Sequence, residues 1–260
     1  MDSEQIRLCG DELFEAMSKR QVVTPLLKRF PSITVEDAYH ISLRMLERRL
    51  ADGETVIGKK IGVTSAAVQE MLGVFQPDFG YLTSSMTYKD EMPISERLIQ
   101  PRAEGEIAFI LKRDLCGPGI TNADVLAATE SVMPCFEVVD SRIENWQIAI
   151  QDTVADNASC GLFVVNEQAA ADPRKLDLAG CEMVVHKNGR ELSRGFGSAA
   201  LGSPLTCVAW LANTLGEFGI GLKAGEIILS GSLVPLEPVA AGDEMNVSIS
   251  GMGDCQIRFT

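Results

Sequence analysis

The chain has 260 residues, and 46% of them are apolar, which is enough for one full hydrophobic core. Its formal net charge of −13 excludes nucleic acid and anionic membranes as partners, since both bind basic patches. Seven cysteines without a CxxC motif, an acidic N-terminal segment unlike a secretory signal, and no apolar run of bilayer length predict a cytoplasmic protein with reduced thiols.

The first 55 residues have the pattern of a helical region. Apolar residues recur at helical spacing in a first segment, at Leu8, Leu13, Phe14 and Met17. After a link with two prolines, Thr34 and Asp37 have the spacing of a capping box and predict a second helix. From Val56 onward the chain changes to short apolar strands separated by glycine turns. We therefore expect residues 1–55 to form an N-terminal helical region and residues 56–260 to form the catalytic body.

Strands and helices do not alternate regularly in the remainder of the chain. Thr121 and Asp124 predict a helix start, whose apolar stripe consists of Val125, Leu126, Ala128 and Val132. Asn188-Gly189 between two short runs predicts a β-hairpin, and residues 206–218 predict a helix that ends at Gly219. Neither a GxGxxG motif nor a P-loop is present. The pattern predicts an α+β fold rather than a parallel βαβ fold.

The segment PRAEGEIAFIL, residues 101–111, carries the most specific chemical pattern. Glu104 and Glu106 alternate with small residues before an apolar run, so a strand would point both carboxylates to one face. Glu137 is the only charged residue within a second apolar segment. A divalent cation, Mg²⁺ or Mn²⁺, would resolve the repulsion among these oxygen ligands. Alternatively, the pair faces solvent with Arg102 as its ion-pair partner, and backbone donors hold an isolated Glu137.

Four other segments contain polar groups suited to a site. A lysine of GKKIG (residues 58–62) could bind a substrate anion or act as an acid, or it could be a solvated turn lysine. Asp78 in QPDFG has the pattern of a turn residue that bonds its own backbone. The polar segment DTVADNASCG (residues 152–161) could line a pocket or cap a turn. The small residues of LSGS (residues 229–232) would let a ligand approach the backbone.

Histidine is scarce, which limits the possible chemistry. His40 lies in the N-terminal helices and His186 beside the predicted hairpin. Neither is near a candidate site, which argues against a Ser-His-Asp triad, a zinc centre or a histidine base.

Eight motifs, taken together and in order, resemble the 2-oxopent-4-enoate hydratases (2-hydroxypenta-2,4-dienoate hydratases) of bacterial meta-cleavage pathways. They are GKKIGVTS, QPDFG, LIQPRAEGEIAFIL, MPCFEVVDSRI, DTVADNASCG, ALGSP, VAWLANTLGEFG and AGEIILSGSLVP. The similarity covers nearly the whole chain from about Val56. It places the chain in the hydratase/decarboxylase branch of the fumarylacetoacetate hydrolase superfamily and implies a mixed β-roll with an N-terminal helical region and peripheral helices.

The resemblance also implies roles for individual residues. The family's divalent-metal ligands fall on Glu104, Glu106 and Glu137, and its catalytic lysine and acid fall on Lys60 and Asp78. Ser159 and Ser232 become candidate substrate-binding groups. The hydrolase branch commonly uses a histidine-containing dyad, and this chain has no histidine at a matching place, which argues against carbon–carbon hydrolysis.

The activity implied is a metal-dependent addition of water to 2-hydroxypenta-2,4-dienoate, giving 4-hydroxy-2-oxopentanoate. One alternative is a 4-oxalocrotonate (2-oxo-3-hexenedioate) decarboxylase, the sister enzyme. Another is a subunit that stabilises that decarboxylase in a complex. The expected partners are a small 2-hydroxydienoate substrate, further copies of the chain in a homo-oligomer, and the decarboxylase in a complex.

Overall fold

The N-terminal helices begin where the capping residues predict. The computed structural model describes all 260 residues. The first helices are α1 (Ser3–Lys19), α2 (Leu26–Arg29) and α3 (Val35–Ala51). Capping boxes of Asp2 with Gln5 and of Thr34 with Asp37 satisfy free backbone donors at the starts of α1 and α3. Leu8 is the exception to the predicted apolar stripe, because half of its surface is exposed.

The other elements follow the N-terminal helices in the body. The further helices are α4 (Ala66–Leu72), α5 (Ile94–Arg97), α6 (Asn122–Ala128), α7 (Ile150–Ala155) and α8 (Pro204–Glu217). The strands are β1 (Val56–Gly62), β2 (Asp78–Thr83), β3 (Thr87–Tyr88), β4 (Glu91–Met92), β5 (Pro101–Leu111), β6 (Thr129–Asp140), β7 (Leu162–Val165), β8 (Glu182–Lys187), β9 (Arg190–Phe196), β10 (Ile227–Leu229), β11 (Glu237–Pro238), β12 (Glu244–Ile249) and β13 (Gly253–Phe259).

Two mixed sheets form the body, which confirms the α+β prediction. The larger sheet has eight strands in the order β2-β1-β10-β5-β6-β7-β3, with β11 pairing beside β5. The smaller sheet has the order β4-β13-β12-β8-β9. Only the pairs β1–β10, β3–β7 and β4–β13 are parallel. This is the arrangement expected for a fumarylacetoacetate hydrolase-type roll.

The central strand β5 separates the hydrophobic core from the site. Gly105 faces the smaller sheet so closely that an added methyl would lie 2.8 Å from the sulfur of Met183. Its strand neighbours Ile107 and Phe109 belong to the main core on that side. Because side chains alternate along a strand, Glu104 and Glu106 point to the opposite face. Packing of the two sheets therefore determines where both carboxylates are placed.

The predicted hairpin turn and the predicted end of the last helix are confirmed, whereas one predicted helix is shorter than expected. Asn188 and Gly189 form the turn of the β8–β9 hairpin, with φ angles of 51° and 76° that suit an Asn-Gly pair. Gly219, with a φ of 72°, follows the end of α8. The assignment of Val132 to a helix was wrong, because α6 ends at Ala128 and Val132 pairs with Phe109 in the sheet. Long-range pairing outweighs local helical spacing there.

The N-terminal helices pack directly on the body. Tyr39 of α3 lies with its hydroxyl 3.3 Å from that of Tyr81 in β2. The Asp152 carboxylate of α7 accepts a 2.6 Å hydrogen bond from the backbone N–H of Leu26. The division at residue 55 stays a prediction about folding units. None of the helices combines the length and apolarity needed to cross a membrane.

Candidate active site

Three glutamates converge on the face of the large sheet that is turned away from the smaller sheet. Strands β5 and β6 are antiparallel and in register, so Glu104 lies directly opposite Glu137, while Glu106 is one same-face position along β5. The relative exposure of the side chains is 4% for Glu104, 1% for Glu137 and 0% for Glu106. One carboxylate oxygen from each lies within 4.8 Å of the other two. The alternative of a solvent-facing pair was therefore wrong.

The electrostatics of this cluster favour a bound cation. Burial and the repulsion of Glu137 raise the pKa of Glu104 to about 8, and burial with the repulsion of Glu104 raises the pKa of Glu106 as well. One buried oxygen of Glu106 accepts no hydrogen bond, and the two buried oxygens of Glu137 have no donor closer than the Lys60 ammonium at 3.4 Å. Buried oxygens without partners are costly. An oxygen-only set of three carboxylates fits a hard divalent ion such as Mg²⁺ or Mn²⁺.

Lys60 lies beside the glutamates, whereas Lys59 does not. Adjacent residues of β1 point to opposite faces, and Lys59 forms an ion pair with Glu226 at 2.6 Å. The Lys60 ammonium is buried 3.4 Å from Glu137. Burial alone would lower the pKa of Lys60, but the attraction of Glu137 and its neighbours outweighs it and raises the pKa above the ordinary value. The alternative of a solvated turn lysine was wrong, because residues 56–62 form a strand.

Asp78 faces Lys60 across a space that Gly62 keeps open. Gly62 and Asp78 are paired in the β1–β2 register, so Asp78 is a strand residue and not the predicted turn residue. A methyl group on Gly62 would overlap the Asp78 carboxylate and lie 2.9 Å from Nζ of Lys60. The Thr153 hydroxyl donates a hydrogen bond to Oδ2 of Asp78, while Oδ1 has no partner. Sequence reasoning singled out neither Gly62 nor Thr153, although both lie inside the motifs it quoted.

The polar segment 152–161 forms the end of α7 and the tight turn that follows it. Residues 157–159 all have φ near +50°, a conformation that non-glycine residues adopt only when their surroundings enforce it. The Asn157 side chain accepts a hydrogen bond from the backbone N–H of Tyr81 and donates one to the carbonyl of the same residue. A buried ion pair between Arg142 and Asp156 also stabilises the turn. Arg142 and Asp156 were missed because nothing in the sequence shows that distant segments bury them together.

A cavity opens above these groups, and its walls are mainly apolar. Lys60, Asp78, Glu104, Thr153 and Ser159 contribute its polar lining. Its apolar lining includes Val63, Val68, Leu72, Val139, Trp146, Ile148 and Leu236. Three of them, Val68, Val139 and Leu236, form a small apolar cluster separate from the main core. Such a cavity suits a small molecule with one polar end and one apolar end.

The two predicted serines occupy different places. Ser159 lines the cavity, and its hydroxyl lies 3.3 Å from Oδ2 of Asp156, to which it donates. The Ser232 hydroxyl donates to the carbonyl of Val234 at 2.6 Å, and Ser232 is not among the cavity-lining residues. A role of either serine in substrate binding stays a prediction.

Comparisons with known proteins identify the family of the chain. Residues 57–260 match the family described as fumarylacetoacetate (FAA) hydrolase C-terminal. A 2-hydroxypent-2,4-dienoate hydratase of Pseudomonas putida is 72% identical over 85% of this chain and 100% of its own length. A 2-hydroxyhexa-2,4-dienoate hydratase of Comamonas testosteroni is 61% identical over 100% of this chain and 99% of its own.

Solved structures show the same architecture. The 4-oxalocrotonate decarboxylase from Pseudomonas putida G7, complexed with magnesium and adipate, superposes with a TM-score of 0.95. It is 35% identical, and the match covers 100% of this chain and 99% of that one. The fumarylpyruvate hydrolase from Pseudomonas aeruginosa, at 13% identity, shares the fold over 78% of this chain with a TM-score of 0.59. The chain belongs to the fumarylacetoacetate hydrolase family.

Proposed function

We propose that this protein is a divalent-metal-dependent hydratase that converts 2-hydroxypenta-2,4-dienoate into 4-hydroxy-2-oxopentanoate during meta-cleavage degradation of aromatic compounds. Relatives at 72%, 61% and 43% identity are all named as hydratases of short dienoates or of 2-keto-4-pentenoate. One observation carries the assignment at the level of the site. Lys60, Asp78 and Glu104 line a cavity with mainly apolar walls, and Glu106 and Glu137 lie directly behind them, beside Glu104 and Lys60.

Glu104, Glu106 and Glu137 would hold Mg²⁺ or Mn²⁺. The ion, when bound, supplies a positive charge that stabilises negative charge developing on the 2-oxygen of the substrate. The buried Oε1 of Glu106 has no donor, and Glu137 has only the ammonium of Lys60 at 3.4 Å, so both carboxylates retain oxygens for a metal ion. Magnesium in the solved decarboxylase is a property of that relative and agrees with the proposal.

The substrate's electronic structure explains why water needs a prior proton transfer. In the 2-hydroxydienoate, the fourth carbon is electron-rich, so water does not add there. Loss of the 2-hydroxyl proton and protonation of the fifth carbon give a 2-oxo-3-enoate, whose fourth carbon is electrophilic. Water then adds at that carbon, and protonation of the third carbon completes the product.

The protein's own residues supply proton handling and orientation. Lys60, as a buried ammonium, can donate to the 2-oxygen through Nζ or pass a proton. Asp78 has a free acceptor, Oδ1, which can orient or help to activate water. Thr153 holds the other oxygen of Asp78. The apolar walls restrict bulk water around the diene.

A second candidate is decarboxylation of 2-oxo-3-hexenedioate. The close superposition with the solved decarboxylase favours it, since that match covers the whole chain. Identity to that decarboxylase is 35%, well below the 72% and 61% shared with the hydratases. A stabilising subunit of the decarboxylase is the third candidate. The intact cluster of three glutamates with Lys60 argues against an inactive copy.

The proposal extends to assembly and location. We propose a cytoplasmic homo-oligomer that can also form a complex with the decarboxylase. All seven cysteines are free thiols, which suits a reducing compartment. Light scattering of the purified protein, alone and mixed with the decarboxylase, tests both forms of association.

The deciding experiment follows the ultraviolet absorbance of freshly generated 2-hydroxypenta-2,4-dienoate. Absorbance loss that needs the protein, stops with chelator and returns with Mg²⁺ or Mn²⁺, with 4-hydroxy-2-oxopentanoate as the product, supports the hydratase. Carbon dioxide release from 2-oxo-3-hexenedioate without hydration of the dienoate would replace it with the decarboxylase. Absence of both activities in a metal-loaded protein would favour the stabilising subunit.

A further inference from the structure

The cavity has one charged end and one apolar end. All of its charged lining residues, Lys60, Asp78 and Glu104, belong to the candidate active site. Lys60 already faces Glu137 at 3.4 Å, and a divalent ion on the three glutamates would take the carboxylate and the 2-oxygen of a substrate. The remaining lining residues carry no positive charge. The far end of a bound 2-oxo acid therefore meets an apolar wall, to which Trp146 contributes.

Trp146 is held in one orientation in this wall. Asn145 and Trp146 have φ angles of 54° and 55°, a conformation that non-glycine residues adopt only when their surroundings enforce it. The indole N–H donates to the carbonyl of Gln100 at 3.2 Å. The Gln100 side chain in turn donates to the carbonyls of Ser141 and Ile143, each at 2.9 Å. These hydrogen bonds tie the segment to the residue that precedes β5 and fix the position of the ring.

An unpaired cation lies against this ring. The guanidinium carbon of Arg102 is 4.6 Å from the ring centre of Trp146. Arg102 is half-buried, and burial lowers its pKa with no neighbouring carboxylate to offset that effect. Arg102 does not line the cavity, whereas Trp146 and Val139, its partner on β6, both do. The indole thus stands between a free guanidinium and the apolar end of the cavity.

We propose that Trp146 determines substrate specificity by screening Arg102 from the cavity, so that the site accepts 2-oxo acids with an apolar far end and rejects those that end in a second carboxylate. The inference rests on the proposed function and deepens it by naming the residue that selects the substrate class. A second carboxylate would lose its water against apolar side chains without a cation to pair with, and Asp78 would repel it. A vinyl or alkyl end packs on the wall at no such cost.

Calorimetric titration of the Mg²⁺-loaded protein with two saturated 2-oxo acids tests the inference. 2-Oxopentanoate has an apolar far end, and 2-oxohexanedioate carries a carboxylate there. The wild-type protein should prefer 2-oxopentanoate by about tenfold or more. Trp146→Ala opens the wall to the guanidinium, so the preference should shift toward the dicarboxylate by at least about tenfold, as expected for a gained charged hydrogen bond. An unchanged preference in Trp146→Ala would overturn the inference.

Substitution of Arg102 identifies the cation behind this shift. The double variant Trp146→Ala with Arg102→Gln should lose the gain for 2-oxohexanedioate. Arg102→Gln alone should change the affinity for either acid by less than about threefold, because the indole already separates the guanidinium from the ligand. A shift that persists in the double variant would come from added space alone and would overturn the inference. Weaker binding of 2-oxopentanoate in Arg102→Gln alone would also overturn it, since it would show direct contact.

Two further variants keep the test independent of folding defects. Trp146→Phe retains an aromatic wall and should keep the wild-type preference, whereas Trp146→Leu leaves a thinner wall and should show a smaller shift than Trp146→Ala. The Mg²⁺ affinity of each variant reports whether its metal site is intact. If Trp146→Ala does not bind Mg²⁺, Trp146→Leu decides, and an unchanged preference there would overturn the inference.

These titrations need no turnover, so their result stands apart from the hydratase assay. A wild-type protein that does not hydrate the dienoate, but shows the preference and its shift, would refute the proposed function and support the role of Trp146. A working hydratase whose preference does not depend on Trp146 would refute only that role. Absence of binding of both acids to every metal-loaded variant would overturn the inference as well.

Discussion

The ammonium nitrogen of Lys60 lies 3.4 Å from a carboxylate oxygen of Glu137, and both side chains are almost completely buried. The next lysine along the strand, Lys59, pairs with Glu226 on the other face of the sheet. The alternation of one strand therefore places two neighbouring, chemically identical side chains in different environments. Lys60 belongs to the candidate site, and Lys59 supports the fold.

Replacement of the two lysines should separate these roles. Lys60→Ala should lower kcat by about 10²- to 10⁴-fold, the usual contribution of a positioned proton donor. Lys59→Ala should change kcat by less than about fivefold and should lower stability by about 1–3 kcal/mol, because Glu226 loses its partner. Dienoate turnover and urea unfolding measure the two effects. Equal kinetic losses in the two variants would show that the wrong lysine was assigned.

Glu106→Gln should abolish metal-dependent activity while the fold persists. The substitution removes one ligand charge but keeps the side-chain shape, and it relieves repulsion with Glu104. We expect the thermal midpoint without added metal to stay the same or rise, and calorimetric Mg²⁺ binding to disappear. Glu130→Gln is the matched control, because Glu130 is an exposed residue of β6. Full activity of Glu106→Gln would refute the metal assignment.

Thr153→Val should impair catalysis through Asp78. The valine is nearly isosteric but cannot donate to Oδ2, so Asp78 loses the hydrogen bond that orients it. Loss of one such bond to a charged group predicts a decrease in kcat of about 10- to 100-fold. Thr153→Ser retains the hydroxyl and should recover most of the activity. A Thr153→Val variant as active as the wild type would mean that the orientation of Asp78 does not limit the reaction.

The affinity for Mg²⁺ should increase with pH. Burial and neighbouring charge raise the pKa of Glu104 to about 8, so in the metal-free protein its carboxyl is mainly protonated below that pH. Bound metal needs the ionised form, so binding releases the proton. The pKa of Glu106 is raised too, so the apparent affinity should rise with pH through and beyond pH 8, by about tenfold per pH unit for each proton that binding releases.

Titration calorimetry between pH 6.5 and 9, in buffers of different ionisation enthalpy, would measure the affinity and the released protons together. The Glu130→Gln variant should follow the wild-type curve. An affinity independent of pH, without proton release, would show that the carboxylates are already ionised before the metal binds.

Several features of the protein could be predicted from local sequence because local physics decides them. Capping by Thr34 depends on a residue three positions away, and the hairpin at Asn188-Gly189 depends on two residues that tolerate positive φ. The alternation around Glu104 and Glu106 predicts a shared face of one strand, and the apolar context of Glu137 predicts burial. The structure confirms this strand geometry and burial.

The assembly of the site was decided by strand pairing between distant segments. The register of β1 with β2 places Gly62 beside Asp78, whereas the local pattern around Asp78 had suggested a turn and that around the lysines allowed a solvated turn. Thr153 reaches Asp78 from a segment 75 residues away. The sequence by itself determined that Glu104 and Glu106 share one face of β5, and it predicted which side chains form the candidate site. Residue spacing left the two lysines of GKKIG equivalent, and the resemblance pointed to Lys60; the tertiary structure decided that Lys60 lies beside Glu137 and Lys59 beside Glu226, because burial and ion pairing depend on long-range register that residue spacing does not encode.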